Sequence, residues 1–447
     1  MKSKEYYIDI CYRLVKKFGK NFEYLKIYLN PHQSTEVSIL NGKIENVNFS
    51  ETIPITIVGA KKGKTATVSG NYIDEAEVDL LINSLSNLIE IVEKDPYFVI
   101  PDKKLIGKAD AELDIFDKTF FSISVEDMIE EAKKLEEIAL SQSSDVKSAG
   151  SFFSADIGIT VFANSYLFAD GFEQTYFGKG VVLFTEDADN FSRNTQRKQR
   201  DGWFDYAVKK DMLLNSESIA KKAVKRVIAR KGSVKPETGF FPVIFENTVA
   251  RSFFSNIASA LKGRNLYKKE SFLVDKLNSS IASNILTIED NPFIKYGLGS
   301  RLFDSDGVKA KRIELINNGV LRNYLLDVYS ANRLGLKTTG SAGGYSNLVI
   351  KPGNKSLEKI VSGIEKGVLV TSLKGQGANI KTGDYSKGAE GFFIEKGKIA
   401  YPISEFTISS TFMNMLESIE EIGNDVYRSS SILSPSILFG QMTVSGK

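Results

Sequence analysis

The chain has almost no cysteine or histidine: in 447 residues there is one of each, Cys11 and His32. A single cysteine cannot form an intrachain disulfide, and a single histidine cannot supply the pair of imidazoles on which many zinc sites depend. The composition therefore excludes, within this chain, disulfide frameworks, cysteine-rich metal cages and metal sites built on two histidines.

Long apolar runs are missing as well. No tract approaches the ~18 apolar residues that a membrane span needs, and the first residues lack the apolar core and cleavage site of a secretory signal. Hydrophobic residues make up 42% and charged residues 25%, as in ordinary soluble proteins. We therefore expect a cytoplasmic protein with no membrane partner. Its 447 residues favour two or three domains over one core.

The net charge of the whole chain is small, but one segment is strongly basic. The formal net charge is +3, yet residues 193–231 contain 12 Lys or Arg against 4 Asp or Glu, which makes this segment +8 and the remainder −5. Such a segment could bind nucleic-acid phosphates, or it could be a solvated helix and loop. We predict the solvated arrangement and no direct nucleic-acid binding.

The first 100 residues predict a helix, two hairpins and a second helix. Apolar residues recur at spacings of three and four from Tyr7 to Phe18, with Cys11 among them, which is typical of a buried helix face. Turns at residues 41–42 and 61–63 separate strand-like runs. Asp74, with Glu77 three residues later, predicts the start of the second helix.

The same order of elements recurs in residues 101–231. Ser124 and Asp127 predict the start of a helix, strand-like runs follow, and a closing helix is expected from Ser216. This repetition indicates either an ancient duplication of a helix–hairpin–helix unit or a coincidence, and the residues do not decide between the two.

A turn-rich stretch at residues 231–239 predicts a domain boundary. We expect an N-terminal α/β domain over residues 1–231, with sub-units 1–100 and 101–231, and a C-terminal domain over 239–447. In the second domain, a strand at 241–245 and a helix capped by Asn247 precede many short strands separated by glycine turns. This pattern indicates an α+β protein whose C-terminal domain is a β-rich barrel or sandwich.

Three sites could carry chemistry, and each has a simpler explanation. His32 follows Pro31 in a predicted surface loop without neighbouring metal ligands. Residues 303–307, FDSDG, lack the later ligands of a calcium loop and predict an Asx turn. The glycine cluster at 374–379 could expose backbone N–H groups to an anion or a peptide, but loop geometry explains it better. A serine nucleophile with a lysine base stays open, since no pair is singled out.

A long run of residues resembles the C-terminal half of the TldD/PmbA peptidase family. It reads GLGSRLFDSDGVKAKRIELINNGVLRNYLLDVYSANRLGL at 297–336 and continues as KTTGSAGG at 337–344. The resemblance extends to residues 242–245, 263–267, 272–273 and 442–446, and more weakly to 39–44. It covers most of the chain.

The resemblance implies where zinc would be held in the catalytic branch of this family, by a His-Glu-x-x-x-His helix and a later cysteine. In this chain Ala250 and Ser255 stand at the two histidine positions and Arg251 stands at the glutamate position, and no cysteine follows Cys11. We therefore assign no catalytic, cofactor-binding or metal-binding residue. The chain resembles the PmbA (TldE) branch, formerly named modulator of DNA gyrase, which lacks the zinc motif.

The resemblance implies a non-catalytic subunit of a TldD/TldE-like zinc metallopeptidase that acts on unfolded peptides in proteolysis and peptide maturation. Zinc is expected only in a TldD-like partner, and the chain alone is not expected to be catalytic. One alternative is a metal-independent hydrolase that works as a homodimer. A second is a regulatory protein associated with gyrase or nucleic acid. The residues leave open whether the functional dimer contains one kind of chain or two.

Overall fold

A computed structural model of the chain describes residues 1–72, 74–187 and 197–447. These residues form a mixed α+β fold with three β-sheets, one of which contains a closed barrel. The first four residues of the basic segment, 193–196, lie outside the described residues.

The first sheet is built by residues 1–231. Its strands are β1 (Tyr24–Leu29), β2 (His32–Leu40), β3 (Lys43–Thr52), β4 (Pro54–Lys61), β5 (Lys64–Asn71), β6 (Lys147–Asn164), β7 (Ala169–Asp187) and β8 (Arg197–Ala207). Its helices are α1 (Lys4–Phe18), α2 (Glu75–Ile91), α3 (Val125–Ser141) and α4 (Ser216–Ala229). Short 3-10 helices occupy Gly19–Asn21, Lys103–Leu105, Lys118–Ser122 and Lys210–Met212.

Helix, strands and helix therefore occur twice in the predicted order, but the two units share one sheet. The long strand β6 pairs with β1 and β2 of the first unit and with β7 of its own unit. Helix α1 packs over β6 and β7, and α2 packs over β5 and β4. Helix α3 packs over β6 and β2, and α4 packs over β8 and β7. An ancient duplication and a coincidence stay the two alternatives for these units.

The C-terminal half contains the remaining elements. Its strands are β9 (Gly239–Phe245), β10 (Ile288–Asp290), β11 (Ile313–Asn317), β12 (Val320–Leu321), β13 (Leu348–Ile350), β14 (Lys366–Lys374), β15 (Asp384–Glu395), β16 (Lys398–Thr411), β17 (Ile419–Ile422), β18 (Ile432–Leu433) and β19 (Ile437–Ser445). Its helices are α5 (Asn247–Ala260), α6 (Gly263–Tyr267), α7 (Val328–Arg333), α8 (Leu357–Ser362) and α9 (Phe412–Glu417).

Five of these strands close a barrel. They follow the order β16, β15, β14, β9 and β19, and β19 pairs back with β16 through Thr407↔Ser445 and Ser409↔Thr443. Of the two arrangements expected from the sequence, this sheet forms the barrel and not the sandwich. Strand β17 extends it at β19, and the strands β10 to β13 form a separate sheet with β18.

Helix α5 is anchored to the barrel by aromatic packing. The ring of Phe253, which is 0% exposed, lies 6.4 Å from Phe245, 5.2 Å from Phe439 and 5.7 Å from Phe412, centroid to centroid. The contacts with Phe245 and Phe439 are edge to face, and such contacts add to the stabilisation from burial. The apolar face of α5 is therefore fixed on the barrel, which sets the direction of its polar face.

Two local predictions are wrong. His32 begins strand β2 rather than lying in a loop, because it pairs with Thr52 on one side and Gly158 on the other. Asn247 does not cap α5: Glu246 holds the capping position without a side-chain hydrogen bond, and the Asn247 amide donates to the carbonyl of Asp425 at 2.6 Å. The start of α5 is therefore tied to a loop of the barrel domain.

In the part of the chain that the structure describes, no helix combines the length and the apolar character that crossing a membrane requires.

Candidate functional site

The three positions at which the sequence departs from the zinc motif lie on helix α5. The methyl group of Ala250 is 0% exposed, Ser255 is half-buried and Arg251 is exposed. Alanine has no side-chain atom that can bind a metal, and the side chain of Arg251 carries a guanidinium cation. At these positions α5 therefore offers a buried methyl group and an exposed positive charge, where the catalytic branch is expected to bind a metal ion.

A groove runs between strand β8 and helix α5. One cavity of about 350 Å³ is lined by β8, the start of α5 and Thr371 to Leu373 of β14. A second cavity of about 570 Å³ is lined by β8, residues 294–298 and residues 426–430. Trp203 and Tyr427 line both cavities, so the two adjoin and form one groove between the halves of the chain, here called the β8–α5 groove.

Aromatic rings and cations are stacked at the centre of this groove. Trp203 and Tyr427 meet edge to face at 6.1 Å, and Arg251 lies 5.3 Å from the centroid of the Tyr427 ring. Lys222 and Arg226 lie 4.6 Å and 5.5 Å from the Trp203 ring. Burial raises the pKa of Tyr427, and the charge of Arg251 opposes that rise only in part, so the phenol stays protonated.

A buried ion-pair network holds the two sides of the groove together. Arg226 of α4 contacts Asp201 of β8 at 3.2 Å and both carboxylate oxygens of Glu246 at 2.8 Å. Arg230, 4% exposed, binds Asp201 at 2.7 Å and also Glu390 of β15. Burial acts to lower the pKa of Arg226, but the charges of Glu246 and Asp201 outweigh it and raise that pKa.

This network corrects the solvated interpretation of the basic segment. Lys221, Lys222 and Lys225 are exposed as expected, but Arg226 and Arg230 are buried in ion pairs between the two halves. A charge run on a helix does not show which cations face a carboxylate from a distant part of the chain. Two of the 12 cations of the basic segment, Arg226 and Arg230, therefore stabilise the contact between the two halves of the chain.

Strand β8 leaves one of its edges open to the groove. It pairs with β7 along its length, from Phe177↔Ala207 to Asp187↔Arg197, and no other strand among residues 1–72, 74–187 and 197–447 pairs with it. Side chains from Asp201 to Ala207 line the two cavities. An open strand edge offers N–H and C=O groups to an extended peptide.

A second set of hydrogen bonds positions the loop at 426–430. Asp205 of β8 accepts from the backbone N–H of Leu214 at 2.7 Å and from the hydroxyl of Ser429. Asp425 accepts from both the N–H and the hydroxyl of Ser436. Ser429 is thus a hydroxyl in the groove held by a carboxylate, and no lysine or histidine of the described chain hydrogen-bonds to it.

The chain's scarce metal-binding residue types lie elsewhere. Cys11 is 0% exposed in the α1 core, as predicted, and burial raises its pKa to about 12. His32 lies on β2. Within the described ranges, no three or more His, Cys, Asp or Glu side chains are grouped so as to hold a metal ion. The residues present thus do not fit a zinc site in the groove.

The two remaining candidates form turns, as predicted. In residues 303–307 the Asp304 carboxylate accepts from the N–H groups of Asp306, Val308 and Ala342, and Gly307 has φ +75°, which favours glycine. Asp306 binds Lys26 of β1 at 2.6 Å, so this turn joins the two halves. Lys374 ends β14, and residues 375–379 form a loop ahead of β15.

Sequence reasoning did not single out Trp203, Tyr427 or Asp205. The available signal was the only tryptophan in the chain, on a strand that reads Trp203-Phe204-Asp205-Tyr206. Tyr427, in contrast, comes from a loop more than 200 residues away, and only the fold brings it to Trp203.

Two domain models of one protein family match this chain. Residues 238–446 match the family model "PmbA/TldA metallopeptidase C-terminal domain", and residues 118–231 match "PmbA/TldA metallopeptidase central domain". The fold is thus of metallopeptidase type. The chain is also 34% identical over 434 residues to Metalloprotease PmbA homolog of Buchnera aphidicola subsp. Acyrthosiphon pisum, covering 96% of this chain and 95% of that protein. The chain belongs to the PmbA/TldD metallopeptidase family.

A further relative is of the PmbA type, and solved structures share the fold. Metalloprotease PmbA of Escherichia coli O157:H7 is 32% identical, with 92% of this chain and 90% of that protein covered. A crystal structure named as a modulator of DNA gyrase from Bacteroides thetaiotaomicron has a TM-score of 0.90 at 27% identity, covering 98% and 99%. TldE from Thermococcus kodakarensis shares the fold, with a TM-score of 0.85 at 22% identity, covering 97% and 99%.

Proposed function

We propose that this chain is the non-catalytic subunit of a two-component peptidase, in which a TldD-type partner holds zinc and this chain contributes to binding unfolded peptide. The observation that carries the proposal is the start of α5, where Ala250 is buried and Arg251 is exposed at the positions that would need a metal ligand and a catalytic carboxylate. A fixed guanidinium repels a divalent cation nearby, strongly where water is partly excluded.

The β8–α5 groove is the surface that we propose for the peptide. It combines an open strand edge with apolar and aromatic walls, which is how extended peptides are bound by strand addition. The open edge beside the groove comes from β8 of the N-terminal half, and the β-rich half supplies the opposite wall.

Strand β3 is the surface that we propose for the partner subunit. It is exposed at every residue and lies at the end of its sheet. Ile44, Val47 and Phe49, which are 50%, 42% and 62% exposed, pair with Ile39, Val37 and Thr35 of β2. Val37 and Ile39 are buried. The exposed side chains of Ile44 and Val47 therefore extend the apolar face of the sheet past the edge of the core. A TldD-type relative or a second copy could pair with such an edge.

A second candidate function rests on Ser429. Its hydroxyl contacts Asp205 within a groove that Lys222 and Lys295 also line, which is the composition that a metal-independent hydrolase would need. The only base in contact with the hydroxyl among the described residues is the Asp205 carboxylate, which already accepts a hydrogen bond from the N–H of Leu214. We therefore favour the subunit role.

Metal analysis tests this proposal. The purified chain should contain well under one zinc per polypeptide by mass spectrometry, and chelators should change neither its stability nor its peptide binding. Stoichiometric zinc that survives dialysis, or peptide hydrolysis by the chain alone that a chelator abolishes, would refute the non-catalytic role.

A further inference from the structure

We infer that the β8–α5 groove selects acidic unfolded peptides and that Arg251 binds a carboxylate of the peptide directly. This inference rests on the proposed peptide-binding role of the groove and adds the chemical class of its ligand. It follows from the charges that line the groove and from the way in which Arg251 is held.

Cations outnumber carboxylates along the groove, and most of the surplus is unpaired. The lining side chains comprise five cations, Lys222, Arg226, Arg251, Lys295 and Arg428, and two carboxylates, Asp201 and Asp205. Asp201 is engaged by Arg226 and Arg230, and Lys295 lies 3.7 Å from Asp114. Lys222, Arg251 and Arg428 have no carboxylate within 4 Å among the residues that the structure describes. Such a surplus favours anionic ligands.

Arg251 is oriented before any ligand arrives. Its Nε donates to the carbonyl of Thr248 at 3.2 Å, and its guanidinium lies over the Tyr427 ring at 5.3 Å. Its two terminal nitrogens have no acceptor in the described part of the chain. A guanidinium held in this way can bind a carboxylate with two parallel hydrogen bonds, and little further ordering is needed on binding.

The same groove fits a peptide better than a nucleic acid. Bases bind single-strand-binding proteins by stacking on aromatic faces, but here Lys222 and Arg226 lie over Trp203 and Arg251 lies over Tyr427. A peptide can instead pair with the open edge of β8 and place one carboxylate at Arg251.

Binding of labelled peptides tests the inference on the full chain. Three unstructured peptides of equal length, acidic, neutral and basic, are titrated by fluorescence anisotropy at low and moderate salt. The intrinsic fluorescence of Trp203, the only tryptophan, reports independently on whether the groove is occupied. We expect the acidic peptide to bind most tightly and its advantage to shrink with added salt.

Variants of Arg251 separate charge selection from general peptide binding. Arg251→Ala should weaken binding of the acidic peptide by about tenfold to a hundredfold, as expected for lost hydrogen bonds to a charged group. It should weaken binding of the neutral peptide far less, because that peptide has no side-chain carboxylate for the guanidinium. Arg251→Lys keeps the charge but loses the paired donors. Its affinity for the acidic peptide should lie between those of the unmodified chain and Arg251→Ala. Arg312→Ala, at another exposed arginine outside the groove lining, should bind like the unmodified chain.

The outcomes distinguish this inference from the proposed function. Equal affinity for all three peptides, or an equal loss for all of them in Arg251→Ala, overturns acidic selection but leaves peptide binding standing. No binding of any peptide overturns both. Tighter binding of a single-stranded oligonucleotide, with displacement of the acidic peptide, overturns the peptide assignment in favour of a nucleic-acid ligand.

Discussion

Replacing Arg226 with methionine should destabilise the protein by about 3 kcal/mol. The change keeps an apolar stem beside Trp203 but removes the contacts to Asp201 at 3.2 Å and Glu246 at 2.8 Å. Removing one partner of a buried ion pair costs about 3–5 kcal/mol. We expect the low end of that range because the Arg226 side chain is 16% exposed and Asp201 keeps its contact with Arg230.

Urea unfolding followed by Trp203 fluorescence measures this loss. With a slope of about 3 kcal/mol per molar urea, the midpoint should fall by about 1 M. Lys225→Met, at the exposed neighbouring position on α4, is the matched control and should change stability by less than about 0.5 kcal/mol. Adding Glu246→Gln to the Arg226 variant should recover part of the loss, since the uncompensated carboxylate is then gone.

A different result would show that the network does not join the two halves. If Arg226→Met unfolds within about 0.5 kcal/mol of the unmodified chain, the ion pairs are no stronger than exposed ones. The groove wall would then need another source of rigidity, and the orientation of α5 relative to β8 would not be fixed by these charges.

Four further predictions follow from buried or exposed groups. Because burial raises the pKa of Cys11 to about 12, its thiol should react with a disulfide reagent at pH 8 only as fast as the protein unfolds; rapid native labelling would contradict its placement. Burial raises the pKa of Asp290 to about 6 from 3.8, so its contribution to stability is present below pH 4 and lost as the pH rises through 6. Asp290→Asn should therefore flatten the pH dependence of the urea midpoint between pH 4 and 7, and an unchanged slope would argue against it. Ser429→Ala should leave peptide hydrolysis by the assembled pair unchanged, whereas loss of turnover would favour the hydrolase alternative. Phe49→Lys on β3 should weaken subunit association in light scattering without lowering stability, while the equally exposed Phe121→Lys should not; equal effects would count against β3 as the interface.

Local patterns predicted much of the fold because their causes are local. The helix from Val125 to Ser141 begins at the Ser124–Asp127 capping box that the sequence indicated, and the turn at residues 41–42 joins β2 and β3. These features depend on side chains a few residues apart. The closed barrel was one of two expected arrangements, since short strands and turns alone do not say whether the last strand meets the first.

The groove could not be predicted from the sequence because its contacts join residues that are far apart in the chain. Its members come from β8, α4, α5 and a loop near the C-terminus, and their contacts depend on how the two halves meet. His32 illustrates the point, because Pro31 suggested a loop while pairing with Gly158, over 120 residues away, made a strand. Residues 250, 251 and 255 were found only through the family resemblance, which supplied the positions to inspect.

Peptide hydrolysis by separated and mixed subunits tests the central claim most directly. An unfolded peptide is incubated with this chain, with a TldD-type relative from the same organism, and with an equimolar mixture, and zinc is quantified in each sample. The account predicts turnover in the mixture, with all of the zinc on the relative and none on this chain. Turnover by this chain alone, at a rate that the relative does not increase, would contradict it.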